Sequence, residues 1–165
     1  MPELIAPTTR LHHAWLAAHA EWGPGLHEDG FGLLATDEVT SPAGFAAWVA
    51  RLAGESDRAM CRWIVDDGQV LGAIALRHRH TDLVERAGHI GFGIRPSARR
   101  RGLASWALGR MLEQARDLGL RRVLVVCAVG NLASARTIER LGGVFEETRH
   151  TESGALRRYW FDLPA

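Results

Sequence analysis

The sequence predicts a single domain of the α+β class, in which a central mixed, mostly antiparallel sheet has helices on both faces. The chain has 165 residues, 47% of them hydrophobic, which suits one domain with its own core. Segments with the hydrophobic period of strands alternate with segments that have the period of helices. Neither an internal repeat nor a long linker interrupts them. The predicted order of elements is β-α-α-β-β-β-α-β-α-β-β.

The first half of the chain is predicted to be mainly helical. A short strand over residues 3–6 precedes a helix that begins at Thr8 or Thr9 and ends near Glu21. A second helix is expected over residues 41–52, because its Ser-Pro start places proline in the first turn. The glycine-rich segment between them, residues 23–40, is predicted to be a long loop. The inner faces of the two helices are expected to be formed by Leu11, Trp15, Ala18, Trp22, Phe45, Trp48, Val49 and Leu52.

The second half is predicted to contain most of the sheet. The tetrapeptide Asp66-Asp67-Gly68-Gln69 is typical of a tight hairpin turn, and a polar loop is expected over residues 78–86. Residues 101–118 have the period of an amphipathic helix that Gly119 ends. The apolar face of this helix comprises Ala104, Leu108, Met111, Ala115 and Leu118. Strands are expected over residues 62–65, 70–77, 88–94, 122–128, 144–150 and 156–163, and a short helix over residues 132–141.

Composition argues against several classes of function. The net charge of +1 gives no general attraction to nucleic acid, and no apolar run approaches the roughly 20 residues that span a membrane. Cys61 and Cys127 are too few for a disulfide framework, so we expect core thiols and a cytoplasmic location. The tract of residues 78–80, His-Arg-His, matches no zinc-binding spacing, and no metal site is expected.

The most informative segment joins the strand that ends at Ile94 to the helix that follows. Pro96 ends the strand because it has no N–H. Three consecutive arginines, residues 99–101, then lead to Gly102, where a ligand can approach the backbone because glycine has no Cβ. The first amides of a helix lack partners within the helix and favour an anion, and guanidinium groups add charge-assisted hydrogen bonds. The sequence therefore predicts a phosphate-binding turn.

This segment and its surroundings resemble the GNAT superfamily of N-acetyltransferases. Arg99, Gly102 and Ala104 match the family's pyrophosphate-loop pattern, Gln/Arg-x-x-Gly-x-Gly/Ala. Further along, a valine-rich strand, Asn131 and a helix that ends at Gly142-Gly143 stand where the family has equivalent features. The resemblance extends from about residue 63 to 163. Shorter matches over residues 76–78, 88–92, 131–139 and 159–160 resemble a bacterial branch known mainly as predicted acetyltransferases.

The resemblance implies that acyl-CoA, first of all acetyl-CoA, binds in a splay between strands 88–94 and 122–128. Gly91 and Gly93 would allow a bulge that opens the ladder there. For Asn131 a plain helix cap is the alternative role, and for Ser134 a surface hydroxyl. The residues implied in cofactor binding are Phe92, Gly93, Ile94, Arg99, Arg100, Arg101, Gly102, Leu103, Ala104, Ser105, Asn131 and Ser134.

The catalytic groups are left open. Many members of the family carry a tyrosine seven residues after the asparagine, but this chain has Ile138, which cannot protonate a leaving thiolate. The alternative to an enzyme is therefore a catalytically weak acyl-CoA-binding or sensing protein of the same fold. Tyr159, the only tyrosine, is a candidate acid, with core packing as its alternative role. Candidate bases for the amine's proton are His89, His78 and Glu85.

The acceptor is expected to be an amine on a small molecule or a peptide. In this architecture the acceptor pocket comes from the first half of the chain, whose tryptophans are predicted to be mostly core. Neither nucleic acid nor a membrane is expected as a partner, and a homodimer is left open. The acidic residues of this half are Glu21, Glu28, Asp29, Asp37 and Glu38.

Overall fold

The fold is described by a computed structural model that covers residues 1–23 and 30–165. In this part of the chain the strands are β1 (Glu3–Ile5), β2 (Ala59–Asp66), β3 (Gln69–Arg77), β4 (Ile90–Ile94), β5 (Arg122–Ala128), β6 (Val144–Thr151) and β7 (Gly154–Asp162). The helices are α1 (His12–Trp22), α2 (Pro42–Gly54), α3 (Asp82–Ala87), α4 (Leu103–Asp117) and α5 (Leu132–Arg140). The strands form one sheet in the order β1-β2-β3-β4-β5-β7-β6. Its pairings are antiparallel except for that of β4 with β5, which confirms the predicted class.

Helices cover both faces of this sheet, as predicted. On one face α4 and α5 pack over the central strands, with Ile74, Leu76 and Met111 fully buried. On the other face α1 and α2 pack over β2 and β3 around three buried tryptophans, Trp15, Trp48 and Trp63. Alternate residues of a strand supply the two cores because they point to opposite sides of the sheet.

The helix starts in the first half follow from side-chain capping. The Thr8 hydroxyl accepts a hydrogen bond from the Arg10 N–H and caps a 3₁₀ turn that leads into α1. The Ser41 hydroxyl accepts one from the Gly44 N–H at 3.0 Å and caps α2. Residues 30–40 contain neither helix nor strand, in agreement with the predicted loop, while residues 24–29 lie outside the described part of the chain.

The predicted hairpin and the valine-rich strand are both confirmed. Asp67 and Gly68 have φ values of 50° and 74°, which is the left-handed pair that a two-residue turn between antiparallel strands requires. The strand β5 has the predicted bounds, and its residues Val123, Leu124 and Val125 are at most 1% exposed. A strand in the middle of a sheet that is covered on both faces is expected to be a continuous apolar run.

Residues 78–86 were predicted to be a loop, and this prediction is wrong in part, because α3 begins at Asp82 and ends at Ala87. The helix has six residues, too few to show a period, and only Val84 is buried. A contact from distant sequence holds it: Nη1 of Arg158 on β7 donates to the Glu85 carbonyl at 2.7 Å. Tertiary contact stabilises a helix that its own sequence does not specify.

The predicted bounds and apolar face of the longest helix also need correction. The helix α4 begins at Leu103, so Arg101 remains in the preceding turn. Leu118, predicted on the apolar face, is 49% exposed, whereas Leu103 and Ala107 are buried. The helix ends at Asp117 and Gly119 adopts φ of 88°, so Leu118 lies in the C-terminal cap and leaves the face of the preceding turns.

Candidate active site

The parallel strands β4 and β5 meet at one point and then separate. They pair at Ile90 with Val125, and an isolated bridge joins Gly88 to the same Val125. Beyond this point β4 remains paired with β3 as far as Ile94. The opening that results between β4 and β5, which we call the fork, corresponds to the splay that the family resemblance implied.

The bulge expected at Gly91 and Gly93 is not found in the pairing of β4 with β3. That register is continuous from Leu76–Ile90 to Gly72–Ile94, and the register shifts of the sheet lie in the β2–β3 and β6–β7 pairs instead. An extra residue is not needed in β4, because the loss of its pairing with β5 is enough to expose its edge.

Backbone groups of β4 line the fork. Just beyond the strand, the Arg95 N–H donates to the Leu71 carbonyl of β3 at 2.8 Å, so odd-numbered residues turn their backbone groups toward β3. Neighbouring residues of an antiparallel strand turn theirs to opposite sides, and those of Phe92 and Ile94 therefore face the fork. The Ile94 carbonyl accepts a hydrogen bond from Arg99 Nε at 2.9 Å.

The segment of residues 95–102, which we call the arginine turn, enters α4 with two left-handed residues. Arg100 has φ of 63° and Gly102 has φ of 76°. A Cβ added to Gly102 would have no heavy atom within 4 Å, so the backbone is open to a ligand there. No side chain caps the first amides of α4, and its first turn has no acidic residue. Amides in this arrangement favour an anion, so the residues present fit the predicted phosphate-binding role.

Glu21 at the end of α1 holds the arginine turn in place. Its Oε1 accepts hydrogen bonds from Arg95 Nε at 3.2 Å, Arg95 Nη2 at 2.9 Å and the Ser97 hydroxyl at 2.8 Å. Its Oε2 accepts one from the Ser97 N–H at 2.6 Å. Hydrogen bonding by Arg95, and then by the Ser97 amide, lowers the pKa of Glu21 to about 2. Sequence reasoning named Glu21 only among acids of the first half, since nothing local links it to residues 74 and 76 positions away.

Asn131 and Ser134 lie together at the start of α5. The Ser134 N–H donates to Asn131 Oδ1 at 3.1 Å, so the asparagine does cap the helix, as its alternative role required. Its side-chain NH₂ is a further donor, and Ser134 is half-buried. Ile138, one turn further along α5, is fully buried and stands where many relatives are expected to have a tyrosine.

Tyr159 lies on β7 opposite Val125, the residue at which β4 and β5 meet. The side chain is 1% exposed and belongs to the same core as Ile138. Its ring centroid is 5.7 Å from that of Phe145. Tyr159 therefore packs as a core residue, and its role as an acid stays a prediction.

The histidines named from the sequence lie in different environments. His78 Nε2 is 3.1 Å from the Ser56 carbonyl, in the segment after α2. His89 is 7% exposed, and its Nδ1 accepts a hydrogen bond from the Leu124 N–H at 2.8 Å. Burial lowers the pKa of His89, because an imidazolium is poorly solvated there. Neither geometry tests a catalytic role directly, and both assignments stay predictions.

A polar cluster that the sequence did not reveal lies beside α3. His80 Nε2 is 3.1 Å from Glu85 Oε1, and the His80 and His89 ring centroids are 6.5 Å apart. Arg158 is 4% exposed, and its guanidinium lies 3.7–3.9 Å from carboxylates of three residues. The three carboxylates belong to Glu85, Glu146 and Glu147. A signal was available in the sequence, because the alternation of strand β7 places Arg158 on the same face as Leu156 and Trp160.

Three further properties of the described residues, 1–23 and 30–165, bear on function. Their histidine, cysteine, aspartate and glutamate side chains form no group of three or more that could hold a metal ion. No helix among them has the length and apolar character to cross a membrane. Both cysteines are free thiols whose pKa is raised by burial, and Cys127 lies in the core as predicted.

Comparisons with known proteins identify the class to which this fold belongs. The fold is similar to that of RimL, a ribosomal L7/L12 alpha-N-protein acetyltransferase in complex with coenzyme A. The TM-score is 0.76 at 19% identity, and the similarity covers 98% of this chain and 94% of that one. The microcin C7 self-immunity acetyltransferase MccE, in complex with acetyl-CoA and AMP, has a TM-score of 0.74 at 15% identity. This similarity covers 98% of this chain and 92% of that one. An acetyl transferase from Salmonella typhimurium that modifies the N-terminal serine of ribosomal protein L7/L12 has a TM-score of 0.74 at 17% identity. This similarity covers 99% of this chain and 95% of that one. The chain thus has the fold of acyl-CoA-dependent acyltransferases.

The family itself is shown by the sequence. A model of the acetyltransferase (GNAT) domain matches residues 10–144, which is most of the chain, and the protein belongs to the GNAT acetyltransferase family. No match was found among curated protein sequences. The resemblance recognised in the arginine turn and the downstream strand and helix is therefore confirmed at the level of family and fold.

Proposed function

We propose that the protein transfers an acetyl group from acetyl-CoA to a primary amine of a small molecule or peptide, by direct attack within a ternary complex. The observation that carries the proposal is the position of the arginine turn next to the open edge of β4. Left-handed Arg100 and Gly102 leave the first amides of α4 uncapped, and Phe92 turns its backbone groups into the fork. A phosphate-bearing thioester with an amide-containing arm matches both features.

Acetyl-CoA, when bound, supplies an activated acyl group whose leaving thiol has an ordinary pKa of about 8.5. The arginine turn holds the phosphates through the amides of residues 102–105 and the guanidinium groups of residues 99–101. The backbone of Phe92 and Ile94 positions the arm, and one amide of β4 stabilises negative charge on the reacting oxygen. Asn131 donates its side-chain NH₂ toward the arm while its Oδ1 caps α5. Holding the amine beside the thioester is the main source of acceleration.

The amine must lose a proton, and the polar cluster beside α3 supports one route for it. His80 is exposed and lies 3.1 Å from the Glu85 carboxylate, so the carboxylate can orient and stabilise the imidazolium that forms. The Nε2 of His78 has a neutral carbonyl, that of Ser56, as its partner in place of a carboxylate, and the Nδ1 of His89 already accepts the Leu124 N–H. His80 with Glu85 is therefore the pair that we assign to proton removal, directly or through water.

The second candidate function is acyl-CoA binding without efficient transfer. It is favoured by the buried Ile138, which provides no proton for the leaving thiolate. The two functions are separated by incubating the protein with acetyl-CoA and a panel of amines that includes polyamines, amino acids and peptides with free N-termini. Enzymatic transfer releases free thiol and acetylated amine in proportion to the protein present. Binding of acetyl-CoA with no release above the protein-free rate for any amine would favour the sensor.

A further inference from the structure

The point where β4 and β5 meet is held by a side chain as well as by backbone. The His89 N–H donates to the Leu124 carbonyl at 2.7 Å, and the Leu124 N–H donates back to His89 Nδ1 at 2.8 Å. In a regular parallel pair, both partners of Leu124 would be backbone groups of the neighbouring strand. The imidazole therefore takes the place of a β4 carbonyl.

The residue before His89 brings the two strands unusually close. Gly88 has φ of 84°, and a Cβ added to it would lie 2.8 Å from the Leu124 carbonyl oxygen and 3.2 Å from the Val126 nitrogen. Backbone contact at these distances leaves no room for a side chain. Gly88 thus permits the approach, and the ring of His89 then satisfies the β5 amide that this approach would leave without a β4 carbonyl.

The carbonyl of His89 is used on the other side of the strand. It accepts a hydrogen bond from the Arg77 N–H of β3 at 2.6 Å, so it is turned away from β5. Leu124 is 1% exposed and His89 is 7% exposed, so water does not readily replace the ring as partner of the Leu124 amide. A buried amide without a partner is strongly disfavoured, and loss of the ring would force β5 to move relative to β4.

We propose that His89 is a positioning residue that sets the apex of the fork by accepting the Leu124 amide at Nδ1. The proposal rests on the proposed function, because the fork matters to catalysis only if the acyl-CoA arm binds there. It also defines the state of the ring: with Nδ1 accepting a hydrogen bond, the hydrogen of the neutral imidazole is on Nε2. A ring in this state has no unused lone pair with which to take a proton from the amine, which separates this role from that of a general base.

The test compares His89→Leu, His89→Gln and His89→Asn. Asparagine places its side-chain oxygen close to the position of Nδ1, whereas glutamine places its oxygen one carbon further out and leucine has none. We expect exchange of the Leu124 amide, measured by NMR in the ligand-free protein, to accelerate about 100-fold in the leucine and glutamine variants. In the same variants the Kd for acetyl-CoA rises about tenfold, and asparagine restores both quantities to within about threefold of the wild type. His150→Leu, a change at an exposed histidine on β6, is the matched control.

The pH dependence of kcat/KM separates positioning from proton transfer, and the asparagine variant is expected to keep the wild-type profile. The proposal is overturned if Leu124 exchange is unchanged in the leucine variant, or if asparagine and glutamine are equivalent. It is also overturned if the asparagine variant loses a basic limb that the wild type shows. If the leucine variant does not fold, the comparison of the asparagine and glutamine variants still tests the proposal, because both side chains are polar and similar in size. Amide exchange is measured without acetyl-CoA, so the role of His89 at the fork is tested even if the wild-type protein does not bind acetyl-CoA. Failure to bind acetyl-CoA would contradict the proposed function alone.

Discussion

At the scale of single residues, Gly102 is the position where a small change should abolish cofactor binding. Its φ of 76° and the open space around its missing Cβ place any new side chain where the phosphates are proposed to lie. Gly102→Glu should lower the affinity for acetyl-CoA at least about 100-fold, which corresponds to about 2.7 kcal/mol, because the carboxylate fills the site and repels phosphate. Isothermal titration calorimetry measures the effect.

Backbone strain needs a control of its own, because any side chain at positive φ costs about 1 kcal/mol. Gly119→Glu provides it: Gly119 has φ of 88°, also has open space around its Cβ, and lies beyond the opposite end of α4. We expect similar destabilisation by both substitutions and lost affinity only for the first. Equal affinity for acetyl-CoA in both variants would show that the arginine turn does not hold the phosphates.

Glu21 should make the stability of the molecule depend on acid pH. Its pKa is lowered from 4.5 to about 2, so the ionised carboxylate stabilises the fold above the unfolded-state value of 4.5. This contribution is lost as pH falls from 4.5 through about 2. The difference in urea midpoint between wild type and Glu21→Gln should therefore shrink over that interval. Glu113→Gln, which removes a partner of Arg110 on the exposed surface of α4, should show a small difference throughout.

At the scale of elements, the helix α3 depends on a residue of strand β7. Arg158 donates to the Glu85 carbonyl at 2.7 Å and is 4% exposed. Arg158→Met should destabilise the fold by about 2 kcal/mol and, in particular, accelerate amide exchange across Asp82–Ala87. Hydrogen exchange with mass spectrometry measures this. Arg149→Met on the exposed part of β6 is the control, and equal protection of α3 in the two variants would contradict the role of Arg158.

The dependence of α3 on Arg158 also explains why this helix could not be predicted from the residues that form it. Six residues make fewer than two turns, and nucleation of so short a helix is unfavourable without outside contacts. By contrast, α2 was predicted closely, because Ser41 and Pro42 are start signals contained in the helix itself. The hairpin turn at Asp67 and Gly68 was predictable for the same reason.

At the scale of the whole molecule, acetyl-CoA and CoA should stabilise the folded state by mass action. Both carry the phosphates that the arginine turn is proposed to bind, so they should raise the Tm to nearly the same extent. At about 100 times Kd the expected gain is about 2.7 kcal/mol, which differential scanning calorimetry detects. Gly102→Glu should show no gain. If neither ligand changes the Tm of the wild-type protein at millimolar concentration, the proposed cofactor is wrong.

The amino-acid sequence was enough to predict the class of the fold, most helix and strand positions, the hairpin turn and the position of the arginine turn before α4. These features depend on periodicity, capping and glycine geometry, which act over a few residues and are therefore visible in a single sequence. Only the three-dimensional contacts showed that β4 and β5 part at Ile90 while the register between β4 and β3 stays continuous. They also showed that Glu21 holds the arginine turn and that His80 lies beside Glu85. Such contacts join residues distant along the chain, and their geometry follows from how the whole sheet packs, which no local pattern records.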